Sequence, residues 1–266
     1  CGNILLIHGF CGSTFSWRHN AEWLAKQGFN VVAADVPPFG FSQRGGRYDG
    51  SVTGSAILLW SLLDSLKQGH NTGWNIVGHS MGGGIAEAMA LLHPEKCVSA
   101  VFVDGALFRS TGSGIVQQMW FLKLPLTEEL MIALGEKLLI TPFGIKKLLS
   151  SAYGAVPGKD AVTGYLIPLK TKGTARAILH MGENATALPE LFADSMHVPC
   201  FAIWGANDKW VPIIIMQRVL DRIKDIEISI IDKAGHCPME THSSEFNPLL
   251  LKFLQRYNPS VSRDTR

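Results

Sequence analysis

The sequence predicts an α/β fold: a mostly parallel sheet with helices on both faces and an inserted helical cap. Short apolar runs alternate with stretches whose apolar residues recur at helical spacing. That is the rhythm of a parallel sheet buried on both faces. The rhythm stops after about Phe108 and resumes at Phe201. The runs end in turn-forming or chemically active residues: His8-Gly9, Asp35, Gly78-His79-Ser80 and Asp104.

Ile4 to Ile7 reads as the first buried strand. Trp17, Ala21, Leu24 and Ala25 share a helical face, which Gly28 closes. Val31 to Ala34 is the second strand, followed by a loop dense in Pro and Gly. A helix is expected over Ile57 to Leu66, a strand over Trp74 to Val77 and a helix after Ser80. The pair His93-Pro94 ends that helix. Val98 to Val103 is the fourth strand. The middle then reads as helical, with segments at Gln118–Leu124, Glu128–Leu139, Phe143–Ser151 and Ala175–Met181. Phe201 to Trp204 and Ile226 to Ile231 are the last strands, with a helix near Ile213 to Ile223 between them. In the final helix Phe246, Leu250, Phe253 and Leu254 share one face. This gives a core domain over 1–107 and 198–266 and a helical cap over 108–197.

The bulk properties narrow the function. A chain of 266 residues can bury a substantial core. Net charge is +2 with no basic block, which argues against nucleic acid as a partner. The longest apolar candidate, Ala56 to Leu66, is short and broken by Asp64, so no transmembrane segment is expected. Five cysteines at irregular spacing match no metal motif and read as free thiols in a reducing compartment. No signal-peptide pattern is legible. The expectation is a cytoplasmic protein without metal or cofactor; the sequence leaves oligomeric state open.

One stretch carries the chemistry. Ser80 lies between a strand and a helix, with Gly78 and Gly82 two positions to either side. A serine becomes a nucleophile when its hydroxyl is held where a base can reach it. A sharp strand-to-helix turn does this, provided its neighbours carry almost no side chain. The following helix aims its N-terminal amides at the same point. A phosphate-binding loop is the competing reading of such a turn, but GHSMGG lacks the required lysine and glycine spacing. Asp208 and His236 each follow a strand. Locally, Asp208 also reads as a turn aspartate and His236 as a loop histidine satisfied by backbone.

The segments IHGF, DVPPFGFSQR, VGHSMGG, IWGANDKWVP and AGHCPMETHSSEF, in this order, resemble the α/β-hydrolase superfamily over nearly the whole chain. The nearest branch in pattern contains small-substrate esterases, C–C hydrolases and cofactor-free haloperoxidases. The resemblance implies a catalytic triad of Ser80, Asp208 and His236, in the family's nucleophile–acid–histidine order. Asp104 is the rival acid. It also implies an oxyanion hole from the backbone N–H groups of Phe10 and Met81. His8 then holds its loop by hydrogen bonds, and Glu240 fixes the loop after the histidine. Cys11 and Cys237 read as packing residues. Two strands that usually precede the Ile4 strand are absent from this sequence.

The cap segment is rich in Leu, Ile, Met and aromatics. Most of these must build its own core, and the rest would line an apolar pocket. Trp120, Phe121 and Trp210 are candidate substrate-binding residues. The expected partner is a small or medium, largely apolar ester, cleaved through an acyl-enzyme on Ser80. C–C cleavage of a ring-cleavage product is the alternative. It is weakened because related enzymes carry Asn at the position of His79 and an Arg nearby. A perhydrolase or haloperoxidase shares the triad, and a hydrolase-fold receptor is the non-enzyme reading. Epoxide hydrolases and haloalkane dehalogenases need a carboxylate where Ser80 stands.

Overall fold

A computed structural model describes residues 2–45, 49–66, 72–107, 125–181 and 195–258. Six strands form one sheet: β1 (Asn3–Ile7), β2 (Asn30–Ala34), β3 (Trp74–His79), β4 (Cys97–Val103), β5 (Cys200–Gly205) and β6 (Glu227–Ile231). Their order is β2-β1-β3-β4-β5-β6, and every pairing is parallel. β1, β3 and β5 are buried along their whole length, because helices cover both sheet faces. Edge strand β2 is half exposed.

Two buried clusters occupy the two faces. On one, Ile4, Leu6, Val77, Val101 and Ile203 pack with Trp17, Leu24, Phe246 and Phe253. These partners come from the segment around α1 (Ala21–Lys26) and from the last helix (Ser243–Tyr257). On the other, Leu5, Ile7, Ile76, Phe102 and Trp204 pack with α2 (Val52–Ser65) and α3 (Met81–Leu92). Alternate residues of each strand feed opposite clusters, as a two-residue side-chain period requires. Fully burying one such aliphatic side chain contributes about 1.5–3 kcal/mol.

Between β4 and β5 the elements among the described residues are helices, and the helix expected over Gln118–Leu124 lies outside the described residues. They form α4 (Pro125–Leu134), a π-type turn (Gly135–Leu139), α5 (Pro142–Tyr153), α6 (Lys159–Leu169) and α7 (Thr174–Leu179). Thr141 caps α5 by accepting the Gly144 amide, and Pro142 takes the first helical position. Residues of α5 and α6, among them Leu149, Tyr153 and Tyr165, share a cluster with the β1 face. α8 (Ile213–Leu220) precedes β6. A short α9 (Pro238–Thr241) and the long α10 (Ser243–Tyr257) end the described chain.

Several boundaries differ from expectation. The helix expected from Ile57 starts at Val52, because Ser51 accepts the Gly54 amide and stops fraying. The face begun at Trp17 splits into a 3-10 turn (Thr14–Trp17) and α1. No helix of the described residues is long and apolar enough to cross a membrane.

Candidate active site

In a parallel sheet, ligands bind beyond the carboxyl ends of the strands, where the strand order reverses. Here the order reverses at β1, whose neighbours are β2 and β3. His8-Gly9-Phe10 follows β1, and Ser80 follows β3.

Ser80 has φ 51° and ψ −117°, a strained conformation for a residue with a side chain. The surroundings enforce it. The Ser80 amide donates to the Val103 carbonyl at 3.0 Å, and its carbonyl accepts the amides of Gly83 and Ala106, each at 2.9 Å. A methyl group on Gly78 would lie 1.9 Å from the Gly82 carbonyl oxygen, and one on Gly82 would lie 2.5 Å from that of Ile7. The glycines flanking Ser80 are therefore steric necessities of the elbow.

Loops after β5 and β6 bring two more side chains to this serine. His236 Nε2 is 2.9 Å from Ser80 Oγ, and His236 Nδ1 is 2.8 Å from Asp208 Oδ2. An ionised carboxylate only accepts, so Nδ1 carries the hydrogen and Nε2 is left to accept from the Ser80 hydroxyl. Asp208 Oδ1 also accepts the amides of Trp210 and Val211. Burial alone would raise the Asp208 carboxyl. The His236 hydrogen bond and charge outweigh it and hold the carboxyl below its ordinary value. Together these atoms can remove the Ser80 proton and compensate the resulting imidazolium.

The rival acid makes a different set of contacts. Asp104 is fully buried and accepts the Gly205 amide at 3.0 Å. Burial first, and the nearby Asp208 charge second, raise its carboxyl well above the usual range. Asp104, Asp208 and His236 form a cluster of metal-type donors whose atoms lie within 4.8 Å of one another. Two of those atoms, His236 Nδ1 and Asp208 Oδ2, already satisfy each other.

Two neutral imidazoles support the loops. His8 donates from Nδ1 to the Gly9 carbonyl at 2.7 Å and accepts the Val36 amide on Nε2 at 2.9 Å. Burial lowers its pKa. His79 donates from Nε2 to the His236 carbonyl at 2.7 Å, and burial lowers its pKa to about 3. Met81 opens α3, so its amide belongs to the first turn, where helical amides lack an intrahelical acceptor. The Gly9 backbone comes close: a methyl group there would lie 3.0 Å from Ser80 Cβ. Phe10 is half exposed and meets Phe39 edge to face.

Burial holds the Cys11 thiol at about 12 and the Cys237 thiol well above its ordinary value. Neither supplies a thiolate at neutral pH. Trp210 lies with its indole stacked on the His236 ring. Trp120 and Phe121 lie outside the described residues. The structure also reveals a cluster that the sequence left unread. Glu240 is an ion-pair partner of Arg18 and accepts the hydroxyls of Tyr153 and Tyr165. Arg18 and Glu240 are 222 residues apart in sequence, so no local motif could reveal the pair. A cavity of about 590 Å³ runs along the outer edge of β2 beside Leu62 and Leu66. It shares no residue with the Ser80, His236 and Asp208 set, so chemistry rather than volume locates the site.

An all-parallel α/β sheet with a serine elbow, an imidazole and a carboxylate at its carboxyl edge defines a hydrolase class. The chain matches the alpha/beta hydrolase fold family over residues 2–243 and belongs to it; it is an α/β hydrolase. It is 27% identical over 270 residues to a 2-hydroxy-6-oxononadienedioate/2-hydroxy-6-oxononatrienedioate hydrolase of Burkholderia vietnamiensis, covering 95% of this chain and 87% of that protein. Its fold is similar to that of a serine hydrolase involved in carbazole degradation. That match has a TM-score of 0.75, 21% identity, and coverage of 96% of this chain and 91% of the other. A bromoperoxidase from Bacillus anthracis matches with a TM-score of 0.73 at 21% identity, over 96% of this chain and 92% of the other.

Proposed function

We propose that this hydrolase cleaves a carboxylic ester of a small or medium, largely apolar substrate through an acyl-enzyme on Ser80. The observation that supports this reading is the unbroken line Ser80 Oγ, His236 Nε2, His236 Nδ1, Asp208 Oδ2 at 2.9 and 2.8 Å. Ser80 Oγ attacks the ester carbonyl carbon as His236 takes its proton. Asp208 fixes the imidazole tautomer and stabilises the imidazolium. The carbonyl oxygen becomes an oxyanion facing the amides of Met81 and Phe10. The intermediate collapses, and His236 gives its proton to the departing alcohol. Water, activated by the same imidazole, then releases the acid. The helices between β4 and β5, read as a cap, would cover the substrate.

A second reading is C–C hydrolysis, which the name of the Burkholderia relative favours. A doubly charged dienedioate calls for cationic groups in the pocket. Four of the described arginines are engaged, Arg18, Arg176 and Arg256 with carboxylates and Arg44 with backbone carbonyls and Thr174.

The test is labelling of the native enzyme with a fluorophosphonate, then turnover of aryl and alkyl esters of rising chain length. Ser80→Ala is expected to abolish labelling and to lower ester turnover on the order of 10⁶-fold. Labelling without turnover of any ester would move the assignment to C–C cleavage. Undiminished turnover by folded Ser80→Ala would remove Ser80 from the reaction.

A further inference from the structure

The last turn of α5 meets the segments that follow β5 and β6 at three points. The His236 amide donates to the Ala152 carbonyl at 2.7 Å. Tyr153 donates its hydroxyl to Glu240 at 2.8 Å. The Trp210 indole Nε1–H donates to Ser151 Oγ at 3.0 Å. The same indole lies on the imidazole, with ring centroids 5.2 Å apart and planes inclined by 29°. The Trp210 amide donates to Asp208 Oδ1 at 2.8 Å. One residue thus has its backbone on the carboxylate, its ring face on the imidazole and its ring nitrogen on a helix from the segment between β4 and β5.

We propose that Trp210 is a positioning residue for His236, and that Ser151 ties this hold to helix α5. The inference rests on reading Ser80 and His236 as nucleophile and base. The stacked indole restricts rotation of the ring that must keep Nε2 pointed at Ser80. When that ring takes the serine proton it becomes a cation over an aromatic face, inside the roughly 6 Å range where the ring quadrupole attracts it. The stabilisation is greater in the charged intermediate than in the resting enzyme, so it acts on rate rather than on substrate affinity. Ser151 sets the in-plane position of the indole. A displacement of α5 would therefore move both the ring on His236 and the carbonyl that holds its amide.

The experiment measures acylation of the whole enzyme by a chromogenic aryl ester in stopped flow, with thermal melts as the folding control. The variants are Trp210→Ala, Trp210→Phe, Ser151→Ala and the Ser151→Ala/Trp210→Phe double. Trp210→Ala is expected to acylate about tenfold more slowly, equivalent to about 1.4 kcal/mol, with KM nearly unchanged. Trp210→Phe keeps a ring on the imidazole and is expected to recover most of that loss. Ser151→Ala should match Trp210→Phe, and the double variant should be no worse than either, because both remove one hydrogen bond. A raised KM with wild-type acylation would make Trp210 a substrate wall and overturn the proposal. So would independent, additive losses at Ser151 and Trp210. If Trp210→Ala does not fold, the other three variants decide. Fluorophosphonate labelling of the wild type separates the two levels: no labelling would sink the proposed function, whereas labelling with unaffected variants sinks only this inference.

Discussion

Adding one methyl group at Gly9 tests how the loop after β1 is set against the nucleophile. In Gly9→Ala the new carbon would lie 2.9 Å from His79 Nδ1, 3.0 Å from Ser80 Cβ and 3.2 Å from His79 Cε1. Relaxed contacts between such atoms lie at about 3.5–4.0 Å, so roughly half an ångström must be found. His79 cannot yield readily, since its Nε2–H is fixed on the His236 carbonyl at 2.7 Å. Ser80 is held by three backbone hydrogen bonds. The strain therefore falls on the Gly9-Phe10 backbone, which must withdraw. A useful oxyanion donor sits within about 2.7–3.1 Å of the developing charge, and a retreat of half an ångström takes the Phe10 amide out of that window. The expected result is a fall in kcat of about 10²–10³, the cost of one lost donor, with little change in KM. Overpacking of about 1–3 kcal/mol would lower Tm by several degrees without unfolding the protein at 25 °C. Acylation of the enzyme by an aryl ester, followed in stopped flow beside a thermal melt, reads both. A folded Gly9→Ala enzyme with kcat within a few-fold of wild type would refute the argument that this loop donates to the oxyanion.

Two further outcomes are expected. Glu240→Gln removes the charge that faces Arg18 while keeping its shape. The Glu240 side chain is fully buried and that of Arg18 is 22% exposed. The loss should fall near the lower end of the range for breaking a buried pair, about 3 kcal/mol. A fall in Tm on the order of 10 °C follows for a domain of this size, and an unchanged melt would show that the ion pair contributes nothing. His79, held at about 3 by burial, makes stability depend on pH. The unfolded chain takes the proton near its ordinary value of about 6.5, so this contribution is complete above about 6.5 and is lost as pH falls toward 3. His8 acts in the same direction. Denaturant midpoints at pH 7 and 5 should therefore fall less in His79→Gln than in the wild type; equal falls would mean that His79 is not buried neutral.

The sequence by itself determined the sheet and the elbow, because both are written in local chemistry. Strands of a parallel sheet buried on both faces are apolar in continuous runs, as in Ile4–Ile7 and Cys200–Trp204. A turn as tight as that at Ser80 admits no side chain at Gly78 or Gly82. Asp208 and His236 were legible because each follows a strand and the parallel sheet sends all such loops to one edge. Local sequence could not choose between Asp208 and Asp104, since both follow strands of that sheet. The tertiary structure gives them different contacts: the loop after β5 carries Asp208 Oδ2 to 2.8 Å from the imidazole, while Asp104 accepts the Gly205 amide. Only the fold could bring Trp210 onto His236, or gather Arg18, Tyr153 and Tyr165 around Glu240. Contacts between residues scores of positions apart leave no periodicity in the chain. They exist only once burial has brought their elements together, and there an unpaired charge or a misaligned ring costs most.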